Sequence, residues 1–381
     1  MKERILIFVD WYEPGFRGGG PIRSCVNLTQ HLKDSFEVFV FTRDRDLGMA
    51  EPYKNVLADK WITINDIKIF YGSPSKLTWR NIVFQIVHEV RPHFVYVNGM
   101  FSRIFSVYPV LINKFYDLKA KFIIVPRGML KSTALQFKKS RKMFFLKVLR
   151  FLNVYREIIF QATDETERTD IRKIFGVKSK INLIPNFAPI PKDWVKPPLK
   201  TADCLKIIFV GRTHPIKNLH RILEWLPHIG GEILFTVITT DENPEYWDQC
   251  QQMIDKLPAS VKTIVRKDVP HAEVEKFYAD HHIFVQPTEG ENFGHAIFEA
   301  LSFGKPVIIS DQTPWRGLLT KKAGWDIPLN APQNFIDAIR IASSWNEKEI
   351  NNWSYNAWSM ATAYAKDENI KKLYLELFSN T

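Results

Sequence analysis

The sequence predicts an α/β protein built from two doubly wound domains. Three observations carry that expectation. Short apolar runs suited to buried parallel strands alternate with longer stretches of helical periodicity. The alternation is broken once, by a polar stretch holding Pro185, Pro189, Pro191, Pro197 and Pro198, as expected of a linker. The length of 381 residues suffices for two domains of ordinary size.

The bulk composition fits a globular chain, with 45% hydrophobic and 24% charged residues. No apolar run approaches the ~20 residues of a membrane span. Met1-Lys2-Glu3-Arg4-Ile5 leads directly into a strand and shows no signal peptide. Cys25, Cys204 and Cys250 are scattered without metal-site spacing, which suggests reduced thiols in a cytosolic protein. The net charge of +11 is uneven: residues 1–196 hold 33 Lys+Arg against 18 Asp+Glu, and the rest 19 against 23. A basic first half points to an anionic partner such as a membrane surface, a phosphorylated lipid or nucleic acid. Nucleic acid is disfavoured because no RNP, helix-turn-helix or zinc signature is present.

Arg4 to Val9 reads as a buried strand. It feeds a loop ending in Gly18-Gly19-Gly20-Pro21, then a helix with Ile22, Val26, Leu28 and Leu32 on its apolar side. Three glycines there allow close backbone approach to an anion, although this is not the dinucleotide fingerprint and a plain turn reads equally well. Glu37 to Phe41 is the second strand. Asp44-Arg45-Asp46 matches a metal-binding DxD pattern, but the interleaved arginine favours a self-paired, solvated loop. Strands His93 to Val97 and Lys121 to Val125 end at Asn98 and Arg127, where a doubly wound sheet opens onto its ligand crevice. Leu135 to Arg156 is expected as a helix with Lys138, Lys139, Arg141, Lys142, Lys147 and Arg150 among seven Phe and Leu residues. Such a face suits an anionic membrane surface, or is a core-packing helix with a solvated basic side.

After the linker, the strand Lys206 to Val210 runs into Gly211-Arg212-Thr213-His214-Pro215-Ile216-Lys217, then a helix from Leu219. Arg212 and Lys217 beside a helix start favour a diphosphate, since Arg chelates and Lys adds a point charge. Ile283 to Gln286 is a strand, followed by a loop to Gly294, a helix stopped by Gly304 and Pro306, and a strand from Val307. Glu291 lies in that loop and Glu299 on that helix. A helix start just after a glycine is a ready anion site. Two carboxylates around it fit a long ligand with a central diphosphate, of which a nucleotide sugar is one; an ordinary crossover with two solvated glutamates has the same spacing. Eight helical steps span about 12 Å. A glycosidase pair sits ~5–9.5 Å apart. The two acids therefore read as spread along a ligand.

These residues together resemble the GT-B glycosyltransferases, specifically the retaining family 4. Glu291 and Glu299, with seven residues between, resemble its E-x7-E motif, and Gly211-Arg212 with Lys217 its G-R-x4-K loop. Gly18-Gly19-Gly20 and Ile184-Pro185-Asn186 also fit. Asp44 to Asp46, Pro126-Arg127-Gly128-Met129 and Ser310-Asp311-Gln312-Thr313-Pro314-Trp315 resemble a bacterial surface-polysaccharide subgroup. The resemblance implies two Rossmann-like domains facing a cleft: residues 1–186 for the acceptor, a linker at 187–204, residues 205–360 for the nucleotide sugar, and a helix at 361–381 returning to the first domain. It implies that Glu299 holds ribose hydroxyls, Glu291 a hydroxyl of the donor sugar, and Arg212 and Lys217 the diphosphate. Backbone amides around Asn292, Phe293, Gly294 and His295 would contact phosphate and sugar, and Gly19 and Gly20 would close over the phosphates. Asn292 stands where glycine is more common. Arg127 and Asn98 stand where many members carry histidine, so Arg127 is a candidate for stabilising the leaving phosphate. The implied activity is retaining hexosyl transfer from a UDP- or GDP-sugar to a lipid-linked surface glycan, without a metal. The implied location is cytoplasmic, peripheral on the inner membrane face. A nucleotide-sugar epimerase or a non-catalytic nucleotide-sugar-binding subunit are the alternatives.

Overall fold

The computed structural model describes residues 2–73, 79–116, 118–131, 135, 139–151, 154–200, 204–240 and 242–379. The chain divides into two compact units. The first comprises residues 1–187 and 368–381, the second residues 188–367.

The first unit is an eight-stranded sheet built from β1 (Arg4–Phe8), β2 (Glu37–Arg43), β3 (Trp61–Ile64), β4 (Ile67–Gly72), β5 (Phe94–Asn98), β6 (Lys121–Val125), β7 (Ile159–Ala162) and β8 (Lys180–Leu183). Its order is β3-β4-β2-β1-β5-β6-β7-β8. All neighbours are parallel except the β3–β4 hairpin, which turns at Asn65 and Asp66. Central strands are buried on both faces, which is why they read as unbroken apolar runs. The stretch 102–116 is not one regular helix: a π-helical turn, Arg103–Val107, precedes the α-helix Tyr108–Tyr116. The basic helix is Lys139–Phe151. It buries Leu146 and Leu149 and exposes Lys147 and Arg150, with Phe144 71% exposed. Phe137, Lys138 and Leu152 of the expected helix lie outside the described residues, as do the side chains of Lys139, Arg141, Phe145 and Phe151. No helix among the described residues is long and apolar enough to cross a membrane.

The second unit is a six-stranded parallel sheet of β9 (Cys204–Val210), β10 (Glu232–Thr239), β11 (Val261–Lys267), β12 (Ile283–Gln286), β13 (Val307–Ser310) and β14 (Gly324–Ile327), in the order β11-β10-β9-β12-β13-β14. That is the doubly wound order, and it reverses between β9 and β12. The two sheets share a detail at the opposite, amino-terminal edge. In the first, the Arg4 N–H donates to Nδ1 of His93, just before β5, at 3.0 Å; in the second, the Lys206 N–H donates to Nδ1 of His282, just before β12, at 3.0 Å. The helix Glu347–Ala365 opens on an Asn346–Glu349 capping box and ends in the second unit. Residues 361–367, expected within the returning helix, thus belong to the second unit. The return is made by the separate helix Glu368–Leu377, whose Ile370, Tyr374 and Leu377 are buried in the first unit.

Two buried histidines give the second unit an acid limit. His281 donates from Nδ1 to the Phe277 carbonyl at 2.6 Å and accepts at Nε2 from Thr236 at 2.7 Å, so it is held neutral. Burial pushes its pKa down to about 4, and that of His282 down to about 3. Both values lie below the unfolded reference, so as pH falls below ~6.5 the unfolded chain takes up protons that the fold refuses. Stability present above pH ~6.5 is therefore lost through the window down to about 4, by about 3 kcal/mol from His281 alone. Urea midpoints measured from pH 7.5 to 4.5 check this: His281→Gln is expected to flatten the profile, and a profile as steep as the parent's would refute the assignment.

Candidate active site

The carboxyl ends of β9 and β12 flank the point where strand order reverses in the second sheet; Arg212, Lys217 and Glu291 fall on the two loops that leave them, and Glu299 on the helix after the second loop. The first loop begins at Gly211, where a Cβ would come within 2.9 Å of Gln286 Nε2 and so would have to displace that amide, which itself donates to the Val210 carbonyl at 2.9 Å. Buried Thr213 bonds Thr239 at 2.7 Å. His214 caps the short turn Pro215–Lys217 by accepting the Ile216 N–H at 3.2 Å. Asn218, left-handed and buried, donates to the Pro287 carbonyl at 2.8 Å. The Glu289 N–H and the Thr288 hydroxyl both donate to the Ile216 carbonyl, at 2.8 and 3.1 Å. Two loops 69 to 72 residues apart in sequence are thereby stitched into one surface.

The stitching brings Lys217 onto Glu291. Their side chains form an ion pair, with exposures of 15% and 13%. Beyond Glu291 the chain passes Asn292 and Phe293 to Gly294, which opens the helix His295–Ser302 in the left-handed conformation, φ 78°, with no side-chain cap. A Cβ at Gly294 would also meet Ile297 Cδ1 at 2.9 Å. The helix start is thus left to its backbone amides and its positive dipole end. The Phe293 ring packs with buried Phe298 and Trp315 and half-buried Tyr364, and the Phe293 carbonyl accepts the Trp315 Nε1–H at 2.7 Å. This cluster fixes the entry to the helix. His295 lies against the Phe293 ring at 4.7 Å.

The other charged groups are paired as well. Arg212 donates to Glu242 at 2.8 Å, and Glu299 Oε1 is 2.8 Å from His271 Nε2. His214 has a lowered pKa, because burial and then Arg212 and Lys217 oppose its charged form more than Glu242 supports it. Sequence reading missed Glu242 and His271. Both lie beyond the carboxyl ends of strands, Glu242 on the loop after β10 and His271 at the start of the helix His271–Ala279 after β11, and that position was the available signal.

Gly19, Gly20 and Arg127 belong to the first unit. Gly19 precedes the helix Gly20–Leu32, which has no side-chain cap. The preceding loop is held by Asp46, which accepts the N–H groups of Phe16 and Arg17 at 2.8 and 3.1 Å. Asp44 takes Arg45 at 2.8 Å. The DxD stretch is self-paired as expected but not solvated, since Asp44 and Asp46 are buried. Arg127 is buried too. Its Nε donates to Asn98 Oδ1 at 2.7 Å, Nη2 to the Tyr96 hydroxyl at 3.0 Å, and Nη1 to Asn186 Oδ1. Tyr96 donates on to Gln161 at 2.9 Å, and Gln161 to Tyr374 of the returning helix at 2.8 Å. All three guanidinium nitrogens are engaged by protein, an arrangement that suits a buried clamp better than a phosphate ligand.

Two doubly wound units of this kind define the GT-B fold, and whole-chain comparison with solved structures agrees. Sucrose-phosphate synthase from Thermosynechococcus elongatus is similar at a TM-score of 0.72 and 16% identity, with all of both chains covered. HepE from Anabaena, in complex with UDP and glucose, is similar at 0.68 and 15%, again over all of both chains. The lipopolysaccharide outer core galactosyltransferase WaaB is similar at 0.61 and 16%, over all of both chains. Residues 192–360 match the family model described as glycosyl transferases group 1. No curated protein sequence matches the chain.

Proposed function

We propose that the protein is a retaining glycosyltransferase that moves a hexose from a nucleoside diphosphate sugar to a hydroxyl of a growing, lipid-linked surface glycan. The observation that carries this reading is the joining of Lys217 to Glu291 at the entry of an uncapped helix, on the switch point of a nucleotide-type sheet. Arg212, Lys217 and the amides of the helix start bind the diphosphate; Glu291 takes a hydroxyl of the donor sugar and Glu299 the ribose. The WaaB galactosyltransferase and the UDP-and-glucose complex of HepE favour a donor of this class and a glycan acceptor.

In the reaction the bond from the anomeric carbon to the β-phosphate oxygen breaks, and a new one forms to the acceptor oxygen on the same face. The acceptor proton passes to a phosphate oxygen, and the nucleoside diphosphate leaves with its charge opposed by Arg212 and Lys217. Catalysis is electrostatic, by groups aimed at charge that grows in the transition state. With two side-chain cations in that role, the reading requires no metal. The basic helix Lys139–Phe151, with Phe144, Lys147 and Arg150 outward, fits the anionic membrane surface that carries such an acceptor.

A thermal-shift panel of UDP-, GDP-, ADP- and dTDP-sugars tests the reading. The cognate donor at 100 times its Kd is expected to add about 2.7 kcal/mol to stability, and the nucleoside diphosphate is released faster when acceptor is present. Stabilisation by none of them would refute a nucleotide-sugar site. Stabilisation without turnover would favour the binding subunit, and release of an altered free sugar the epimerase.

A further inference from the structure

The first sheet has its own switch point. Strand order reverses between β1 and β5, and the crevice outside the carboxyl ends of those strands is where doubly wound sheets take ligands. Three polar side chains meet there. Asp10 follows β1, Arg43 ends β2, and Ser102 caps the π-helical turn after β5. The Ser102 hydroxyl donates to Asp10 Oδ1 at 2.8 Å, bridging the switch point itself, and Arg43 Nη2 approaches the same oxygen at 3.4 Å. The Arg43 guanidinium is in turn held 5.2 Å above the Phe105 ring. The Asp10 side chain keeps 20% of its surface exposed.

We propose that Asp10, fixed by Ser102 and Arg43, is a specificity-determining residue that accepts a hydrogen bond from a hydroxyl of the acceptor sugar. The proposal rests on the glycosyltransferase reading above. Both hydrogen bonds to the carboxylate fall on Oδ1, so the orientation of the group is fixed through one oxygen while a ligand can address the other. Burial raises the Asp10 pKa more than Ser102 and Arg43 lower it, so a further donor would relieve a carboxylate that the protein under-solvates. The chemistry of the pair selects the ligand class. An anion is opposed by Asp10 and a cation by Arg43, whereas a neutral hydroxyl-bearing sugar suits both. Asp10 belongs to no local sequence motif, because its partners lie 33 and 92 residues away.

The test compares the parent with Asp10→Asn, which keeps the size of the side chain, and Asp10→Glu, which keeps its charge. Transfer is measured from the donor that the thermal-shift panel identifies to a series of p-nitrophenyl hexosides, and binding of the free nucleoside diphosphate by calorimetry. Asp10→Asn is expected to raise the acceptor KM about 10- to 100-fold, the range for one hydrogen bond to a charged group, with a smaller change in kcat and parent-like nucleotide affinity. Asp10→Glu is expected to recover part of the loss. Transfer by the parent with an unchanged acceptor KM in Asp10→Asn would overturn the assignment alone. Absence of donor turnover in the parent would overturn the glycosyltransferase reading and this assignment with it.

Discussion

Lys217→Ala is expected to lower turnover about 100- to 1000-fold, the usual cost of removing one preorganised group from a developing anion. Lys217 is the cation that the fold delivers to the switch point of the second sheet, and Glu291 holds it there. The two are largely shielded from water, so deleting the lysine also removes a charged partner from a largely buried carboxylate. That costs about 1–3 kcal/mol of stability. The two effects separate cleanly: single-turnover kinetics at saturating donor read the first, and urea unfolding reads the second. Lys217→Ala/Glu291→Gln is expected to regain stability, because the stranded charge is gone, but not turnover. A Lys217→Ala enzyme with parent turnover would remove the lysine from the mechanism. In the structure Lys217, Arg212 and Glu299 each face an internal partner of opposite or hydrogen-bonding character.

The second large effect is on folding. Arg127→Met keeps the volume of the side chain and removes its charge and donors, and is expected to destabilise the protein by about 3 kcal/mol or more, as when one member of a buried charged network is deleted. The oxygens of Asn98, Asn186 and Tyr96 would lose their common donor inside the first unit. The loss should spread along Tyr96 and Gln161 to Tyr374, whose ring stacks on Phe187 at 4.2 Å, so amide exchange in the helix Glu368–Leu377 should rise with it. Unfolding by urea and hydrogen exchange read both. A variant of parent stability that has lost only turnover would return Arg127 to the role of a phosphate ligand, as the family resemblance implied.

Much of the fold was legible in the sequence because it is written in local periodicity. Buried strands such as Phe94–Asn98 and Ile283–Gln286 are short apolar runs, and the helix Pro332–Ser344 repeats its buried Phe335, Ile336 and Ile339 at helical spacing. The candidate site was legible in part for the same reason. The loop Gly211 to Lys217 and the unit from Glu291 to Glu299 are each contiguous, so their residue types and spacing stand in one stretch. The helix boundaries were less so. The break between Ala365 and Glu368 falls in a turn with little punctuation, and the π-helical turn at Arg103–Val107 follows no compositional cue.

By itself the sequence determined the alternation of strands and helices and the contiguous stretches that hold the cationic loop and the two glutamates. Tertiary structure alone decided which charges meet. Lys217 finds Glu291 across 74 residues, Glu299 finds His271 across 28, and Arg127 finds Asn186 across 59. It also turned Asp46 from a motif residue into the clamp of the glycine loop, 30 residues away at Phe16. The reason is physical. Periodicity records which face of an element is buried, but the environment of a charge is set by whichever chain segment the sheet order places beside it, and that order is a property of the whole fold.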